Sequence, residues 1–387
     1  MNNTLFRQSD IKNPFETYAH MLNQCPVFWD APNNIWAIYS YKDCSSLLKN
    51  EKAQIPVPPT PLNGCMNEYA KSISETLVRL SNPPIHAMLR EITMQLYHNM
   101  QPVSAASLLP NLINVNRRLQ EIDWVKDVCK KLPLLTVLKG FCFSNEDIEF
   151  IIFKIGALIK IMLPNKTTQQ IGEINEAVNP VYLLTEKHIV KNKNLSAIIH
   201  STSANGYSKE TVLNMVVANL IGLMIQGYDA ERGVLSNSLL QALYRKHEPG
   251  IDYNEEKYFE KFVIETLRYD PPPHNTRRVL TDDIVIGNAE IKKGQTVLLV
   301  LAAANRDPAK FERSNEFNIS RGNNSENLTF GVGMHACVAK YLSTNMAVET
   351  LSWLFGKYKH ISLNETEISY EPLINVRLPK EMIISLS

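Results

Sequence analysis

What is scarce in this sequence closes off several classes of protein at the outset. No charge of one sign is in excess: 40 Lys and Arg stand against 39 Asp and Glu in 387 residues, a formal net charge of +1. So close a balance gives no electrostatic case for nucleic acid or an anionic membrane surface as the main partner. Long apolar runs are missing too. The densest, Val216 to Ile225, covers about ten residues and is broken by Asn219, where a spanning helix needs roughly twenty. The N-terminal segment carries Arg7, Asp10, Lys12 and Glu16 and no apolar core, so neither a signal peptide nor a membrane anchor is expected, and the expected compartment is the cytoplasm. Cysteine is sparse, at positions 25, 44, 65, 129, 142 and 337, with no CxxC spacing, which argues against a structural zinc site. In a reducing cytosol most of these thiols are expected free and buried, behaving as small hydrophobes.

What is present is a chain 44% hydrophobic, long enough to bury a large core, with no internal repeat and no low-complexity linker. The pattern opens with a helix (Pro14 to Asn23), a strand (Ile35 to Ser40) and a second helix (Tyr41 to Lys49). Residues 50 to 68 are rich in proline and polar side chains and read as a long loop, a kind of segment that is often functional. From Ser81 to Lys246 the pattern is predominantly helical. Its clearest element runs from Ser208, an N-cap type, to Arg245 and would be roughly 55 Å long. The middle of that helix is apolar nearly all round, as in a buried helix. It nevertheless carries Gly222, Gly227 and Gly233, each costing about 1 kcal/mol against alanine, so a close backbone approach is expected there. A helix capped by Asn254 runs to Arg268, followed by the turn Pro271-Pro272-Pro273 and two β-type stretches, Arg278 to Ile286 and Thr296 to Leu301. The stretch most prone to disorder is the polar loop Arg321 to Asn327. A last helix starts near Cys337 and runs to Phe355. Mostly helical architecture with a minor sheet follows.

The strongest chemical signal is Phe330-Gly331-Val332-Gly333-Met334-His335-Ala336-Cys337. A lone cysteine is usually a core residue, but this one follows two closely spaced glycines and opens a helix. Glycines let a loop fold tightly against a flat ligand, and a helix N-terminus offers N–H groups and partial positive charge that stabilise a thiolate. A second pattern, Glu265-Thr266-Leu267-Arg268, puts a carboxylate and a guanidinium on one helix face. Taken alone it reads as a solvated pair worth little. A third, Asn82-Pro83-Pro84-Ile85-His86-Ala87-Met88-Leu89-Arg90, sets His86 and Arg90 four apart, also on one face.

Together and in this order these patterns resemble the cytochrome P450 family, in its soluble bacterial form, over essentially the whole chain from about residue 13 to 380. Further echoes are Asn13-Pro14-Phe15, Pro26-Val27 and Ala304-Asn305-Arg306-Asp307-Pro308. The resemblance implies a mainly α fold with a small β lobe, the cytochrome P450 fold. It implies a single domain over 1–387, with the β-rich lobe drawn mainly from residues 13–60 and 278–302. It implies haem b (iron protoporphyrin IX) as cofactor, with Cys337 as axial ligand to the iron. In the family that thiolate pushes electron density toward bound oxygen. Phe330, Gly331 and Gly333 shape the haem loop. His86, Arg90, Arg278 and His335 correspond to the family's contacts to the haem propionates, which are anions that need paired donors when buried. Glu265 and Arg268 become a buried structural pair, with either Arg306 or Arg321 as a third member.

The sequence departs from the family over the haem. Where the family keeps a small residue, Gly, any residue, an acid and Thr, this chain has Gln226-Gly227-Tyr228-Asp229-Ala230. Asp229 fits the acid that helps proton delivery, but Ala230 replaces the threonine, and its side chain neither donates nor accepts a hydrogen bond. Three replacements stay open: a substrate hydroxyl or ordered water, a share of the work by Gln226 or Glu231, or a reaction other than ordinary hydroxylation. For Gln226 the plain alternative is that a helix offset of one residue turns it into core or solvent. Ala339 stands where the family often has glycine. Lys340, just beyond, is a candidate for docking an acidic partner, with a solvated lysine as the plainer reading.

The expected activity is reductive activation of dioxygen and oxidation of a small or mid-sized organic substrate. Electrons would come from an external ferredoxin or flavodoxin and its reductase, with no nucleic-acid partner. Ile225, Gln226, His274 and Asn275 are candidate pocket residues by position. The rival expectations are a peroxide-using, radical-coupling or rearranging haem-thiolate enzyme, and a non-catalytic haem-binding protein.

Overall fold

The computed structural model describes residues 4–57, 65–114, 119–163, 165–203, 206–246 and 257–387. In chain order the elements that matter for the site are α1 (Pro14–Gln24), β1 (Val27–Asp30), β2 (Ile35–Ile38), α2 (Tyr41–Lys49), β3 (Ala53–Gln54), α3 (Glu68–Thr76), α4 (His86–Asn99), β4 (Gln120–Asp123), α5 (Asn145–Leu158), α6 (Thr168–Lys191), α7 (Lys209–Arg245), α8 (Tyr258–Tyr269), β5 (Thr276–Leu280), β6 (Thr296–Leu299), α9 (Lys340–Lys357), β7 (Ile361–Leu363) and β8 (Ile383–Leu386). Local chemistry sets many of their starts. Asn13 caps α1 by accepting from Phe15 N, with Pro14 at the first helical position. Thr167 and Gln170 close a reciprocal capping box on α6. Ser208 accepts from Thr211 N at 3.1 Å, the cap expected for α7. Asn254, the expected cap of α8, lies outside the described residues, and α8 itself begins at Tyr258.

The chain forms two compact units. The first comprises Met1–Pro56, Ala105–Lys130 and Ala230–Ser387, the second Val57–Ser104 and Lys131–Asp229. The first holds a five-stranded sheet in the order β1-β2-β6-β5-β3, in which only β2 and β6 run parallel. Three residues of β6, Val297 to Leu299, are fully buried, as a central strand covered on both faces requires. One apolar cluster joins this sheet to α2 and to the approach to the cysteine loop through Ile38, Leu47, Leu48, Val297, Leu299 and Leu328. A second sheet, β4-β8-β7, pairs Gln120–Asp123 with the C-terminal strand Ile383–Leu386. The stretch expected as one strand from Arg278 to Ile286 is two short strands separated by a turn.

The second unit packs α3 to α6 and the first part of α7 around Leu77, Leu89, Ile92, Leu96, Val216 and Ile221. Asn219 is a buried polar knot in this core. Its Oδ1 accepts from Val78 N (3.0 Å) and Thr93 Oγ1 (3.2 Å), and its Nδ2 donates to Thr76 O (2.9 Å) and Met215 O (2.8 Å). A buried amide satisfied on both sides fixes packing instead of costing stability.

Two of the three glycines expected to allow a close approach to α7, Gly222 and Gly233, do so. A Cβ on Gly222 would sit 2.4 Å from Leu77 Cδ1, and one on Gly233 2.4 Å from Pro272 Cβ and 2.5 Å from Leu378 Cδ2. By length and composition α7 could cross a membrane, more than the short apolar run suggested. Most of its apolar window is buried inside the protein, as for a core helix.

Two other expectations are corrected. Cys65 and Cys142 are exposed and Cys25 is half-buried, against Cys44 and Cys129 buried, so burial is not the rule for these thiols. Residues 321–327 are ordered by hydrogen bonds: Arg321 donates Nη1 to the buried Glu265 carboxylate at 2.9 Å and to Asn324 Oδ1 at 3.0 Å. Asn324 is buried and its Nδ2 donates to Asn318 O at 2.7 Å.

Candidate haem-thiolate site

The first unit carries the cysteine loop and the pair that braces it. Glu265 and Arg268 on α8 are both fully buried. Arg268 donates Nε to Glu265 Oε2 (2.7 Å) and Nη2 to Oε1 (2.8 Å). Its remaining donors reach the carbonyls of Asn305 (2.9 Å), Ser314 (2.8 Å) and Glu316 (3.0 Å). All five guanidinium N–H groups are thereby used, the condition under which a buried charge is tolerated. The third member is Arg321, whose Nη1 lies 2.9 Å from Glu265 Oε1. Arg306 instead donates Nε to Tyr269 O at 2.8 Å.

This cluster reaches the loop through Asn305. The residue whose carbonyl receives Arg268 accepts at its own Oδ1 from Leu328 N (2.7 Å) and donates Nδ2 to Thr329 Oγ1 (3.0 Å). Thr329 in turn donates to Leu267 O on α8. The next residue opens the motif. Within it, Gly331 N donates to Leu328 O (2.9 Å), Ala336 N to Gly333 O (3.1 Å) and Cys337 N to Phe330 O (2.9 Å). Gly331 and Gly333 have φ of +64° and +78°, a region costly for residues with a Cβ. A Cβ on Gly333 would also meet Leu48 O at 2.6 Å. The loop is therefore a folded-back cradle that carries Cys337 at its far end. Cys337 does not itself open the helix: Val338 and Ala339 form a turn, and α9 starts at Lys340 without a side-chain cap.

Arg278 is buried on the inward face of β5 with Leu280, its Nη1 donating to Thr276 Oγ1 (3.0 Å) and Arg277 O (2.7 Å). His335 is half-buried in the loop. In the second unit, His86 and Arg90 start α4, with His86 buried and its Nδ1 2.9 Å from Ser81 Oγ, a contact that fixes the ring's orientation in either tautomer.

On α7 the residues after Ala230, from Glu231 to Leu243, are all buried, while Gln226 to Asp229 are partly exposed and Ala230 is exposed. Gln226 points neither outward nor into the core. Its Nε2 lies along the helix and donates to Gly222 O at 3.1 Å, over the space a side chain on Gly222 would occupy. Glu231 turns to α9, where Oε1 accepts from Ser343 Oγ at 3.0 Å and Oε2 is buried without a partner among the described residues. Burial pushes its carboxyl up to about 7, against the lowering effect of the Ser343 hydrogen bond.

Of the other candidate pocket residues, Ile225, His274 and Asn275 are buried. His274 Nδ1 is 2.9 Å from Tyr18 Oη, and Asn275 Nδ2 donates to Ile374 O at 2.9 Å. Burial, followed by the charges of Arg377 and Arg306, holds the His274 imidazole well below its usual range and hence neutral.

In the first unit a cysteine on a glycine cradle, with buried Arg278 and half-buried His335, is donor chemistry that suits a carboxylate-bearing cofactor with a metal at its centre, and in the second unit His86 and Arg90 are likewise of the type that pair with carboxylates. Fold and site together are those of a haem-thiolate oxidoreductase. Residues 238–385 match a family model described as Cytochrome P450, and over nearly its whole length the chain is similar to cytochrome P450 monooxygenases. It is 24% identical to the biotin biosynthesis cytochrome P450 of Bacillus subtilis (97% of this chain, 96% of that protein). It is 25% identical to cytochrome P450 119 of Sulfolobus acidocaldarius (91% and 94%) and 23% identical to the 6-deoxyerythronolide B hydroxylase of Saccharopolyspora erythraea (90% and 89%). Among solved structures it is similar to CalO2 (TM-score 0.86, 19% identity, 100% of this chain and 99% of that one). It is also similar to P450BioI in complex with hexadec-9Z-enoic acid ligated acyl carrier protein (TM-score 0.82, 21% identity, 98% and 100%).

Proposed function

We propose that this chain works as one catalytic domain that holds haem b through Cys337 and oxidises a small or mid-sized organic substrate as a biosynthetic tailoring step in the cytoplasm. The observation that carries the reading is the braced cradle at Gly331, Gly333 and Cys337, tied by Asn305 to the buried Glu265–Arg268 pair. Bound haem supplies the oxygen-activating chemistry. The chain's own part is to hold the cofactor and order protons. His86, Arg90, Arg278 and His335 take the propionates, Phe330 packs the loop, and Asp229 receives protons from solvent. Because Ala230 has no hydroxyl, a substrate hydroxyl or an ordered water completes the relay. Electrons come from an external ferredoxin or flavodoxin and its reductase, with Lys340 beside the loop as a docking charge. Two relatives, the biotin biosynthesis cytochrome P450 and the 6-deoxyerythronolide B hydroxylase, support a biosynthetic substrate. The P450BioI complex supports including carrier-bound acyl groups among those tried.

The first test is a ligand screen on the purified ferric protein, following the Soret band. A blue shift with a compound that is then turned over by a ferredoxin system supports the proposal. Turnover with peroxide alone, and none with a reductase, would replace it by the peroxide-using reading that the alanine at 230 favours. Haem binding with neither shift nor turnover would favour a non-catalytic haem protein.

A further inference from the structure

The first unit contains an open cavity of about 350 Å³ that shares no residue with the Cys337 loop. Its wall includes Phe15, Tyr269, Asp270, Arg245, Arg306 and Arg377. The charge inside is unbalanced. Three guanidiniums face one carboxylate, while Lys12 at the rim is paired outward with Glu367. The carboxylate is engaged elsewhere: Asp270 Oδ2 accepts from Gln241 Nε2 at 2.7 Å. Arg377 is committed to structure, donating to the carbonyls of Gln8 (2.9 Å), Ile11 (3.3 Å) and Lys12 (2.9 Å).

Arg306 differs from its neighbours. Its guanidinium is clamped between the rings of Phe15 and Tyr269, at 3.6 and 3.7 Å from their centroids. Its Nε donates to Tyr269 O at 2.8 Å. Among the described residues Nη1 and Nη2 donate to nothing. The two rings cover both faces and the backbone holds one edge, so the edge with the two terminal nitrogens is what the side chain offers the cavity. Burial brings this guanidinium down to about 10, with Arg268 acting in the same direction and Tyr269 and Asp270 opposing. It stays charged at neutral pH. A planar fork with two parallel N–H donors matches two oxygens of a carboxylate or phosphate, and a desolvated cation in a cationic cavity gains from an anion more than an exposed one does.

We propose that this cavity is a binding site for a small oxyanion of the phosphate or carboxylate class. The ion is held edge-on by Arg306 Nη1 and Nη2, with Arg245 as a second cation. Its occupancy ties residues 12–15, which carry Phe15, to the ends of α7 and α8. The volume suits one such ion with a few waters. The site is independent of the haem-thiolate reading and survives if that reading fails.

The test is thermal unfolding of the holoprotein at constant ionic strength in chloride buffer, titrated with inorganic phosphate in one arm and acetate in the other. The expected result is a saturable rise in Tm in one arm, which also identifies the class. In Arg306→Gln the same rise should need at least tenfold more ligand, and Arg306→Lys, which keeps the charge and loses the fork, should fall between. No saturable rise in either arm, or an unchanged titration in Arg306→Gln, overturns the proposal. A measurement on unmodified protein stands in if the variants fail to fold: hydrogen exchange of residues 12–15 should slow on adding the effective ion, and unchanged exchange would also sink the site.

Discussion

Arg268 and Asn305 stand in a relation whose far end is the cysteine loop. The guanidinium gives Nη1 to the Asn305 carbonyl at 2.9 Å, and the Asn305 side chain receives the N–H of Leu328, at the threshold of the motif, at 2.7 Å. Removing that side chain leaves a buried N–H without an acceptor, a loss of about 1–3 kcal/mol. Asn305→Ala should therefore unfold at lower denaturant and release haem faster than the parent protein. Asn305→Asp, which keeps the acceptor, should recover much of the loss. Haem-transfer kinetics equal in all three proteins would show that the latch does not hold the loop.

Glu265→Gln probes the other end. It removes the charge that Arg268 and Arg321 both contact, leaving two buried cations facing an amide. Breaking one partner of a buried pair costs about 3–5 kcal/mol. Low soluble yield and poor haem incorporation are expected, and a normally loaded, stable variant would contradict the structural role.

Glu231 makes stability depend on pH in a stated direction. Its carboxyl is raised from 4.5 to about 7 in the folded chain by burial. The folded state therefore binds more protons than the unfolded state between those values. Stability from this group is fully present below about 4.5 and is lost as pH rises through about 7, a change of about 3 kcal/mol. Glu231→Gln should flatten that slope in denaturant titrations across pH 5 to 8 and be more stable than the parent at the alkaline end. An unchanged slope would place the carboxyl's titration elsewhere.

Ala230 and Gln226 bear on proton delivery. If substrate or water supplies the missing hydroxyl, Ala230→Thr should raise the fraction of reducing equivalents ending in product only slightly, and a large gain would argue against substrate assistance. Gln226→Ala removes the 3.1 Å bond to Gly222 O, worth about 1 kcal/mol, beside the exposed Ala230. It should alter ligand-induced haem spectra. Unchanged affinity and product profile would leave Gln226 a helix-stabilising residue only.

Gly233→Ala would put a methyl group 2.4 Å from Pro272 Cβ and 2.5 Å from Leu378 Cδ2. Overpacking of that kind costs about 1–3 kcal/mol, to be seen as a lower Tm with an unaltered haem spectrum. An unchanged Tm would mean that the turn after α8 yields easily.

The parts of the fold visible in the sequence are those with local causes. Caps at Asn13 and Ser208, glycines facing neighbours at 222 and 233, and the glycine pair before Cys337 each declare themselves within a few residues. What escaped depends on distant partners. The strand Gln120–Asp123 is short and mostly polar and exists because Ile383–Leu386 pairs with it, a contact no local pattern announces. Arg321 to Asn327 resembles a mobile loop because it is polar, yet Arg321 turns inward to Glu265 and Asn324 braces it. Gln226 stands out in the sequence for its bulk, but its acceptor, Gly222 O, shows only in the folded helix. Asn305, inside a stretch already noticed as an echo of the family, revealed its latch only once Leu328 and Thr329 were seen against it. The position of His274 suggests a pocket residue, whereas its bond to Tyr18 Oη depends on a helix some 250 residues earlier.

Gly333 bears directly on protein engineering. Its backbone lies against the Leu48 carbonyl and holds a dihedral that side-chain-bearing residues seldom adopt. A library built to retune the metal's potential gains nothing by varying 331 or 333, since most members would be lost to misfolding before any colour could be scored. Diversity spent at Val332, Met334 and Ala336 would vary the surroundings of the sulfur and leave the hinge points of the loop intact.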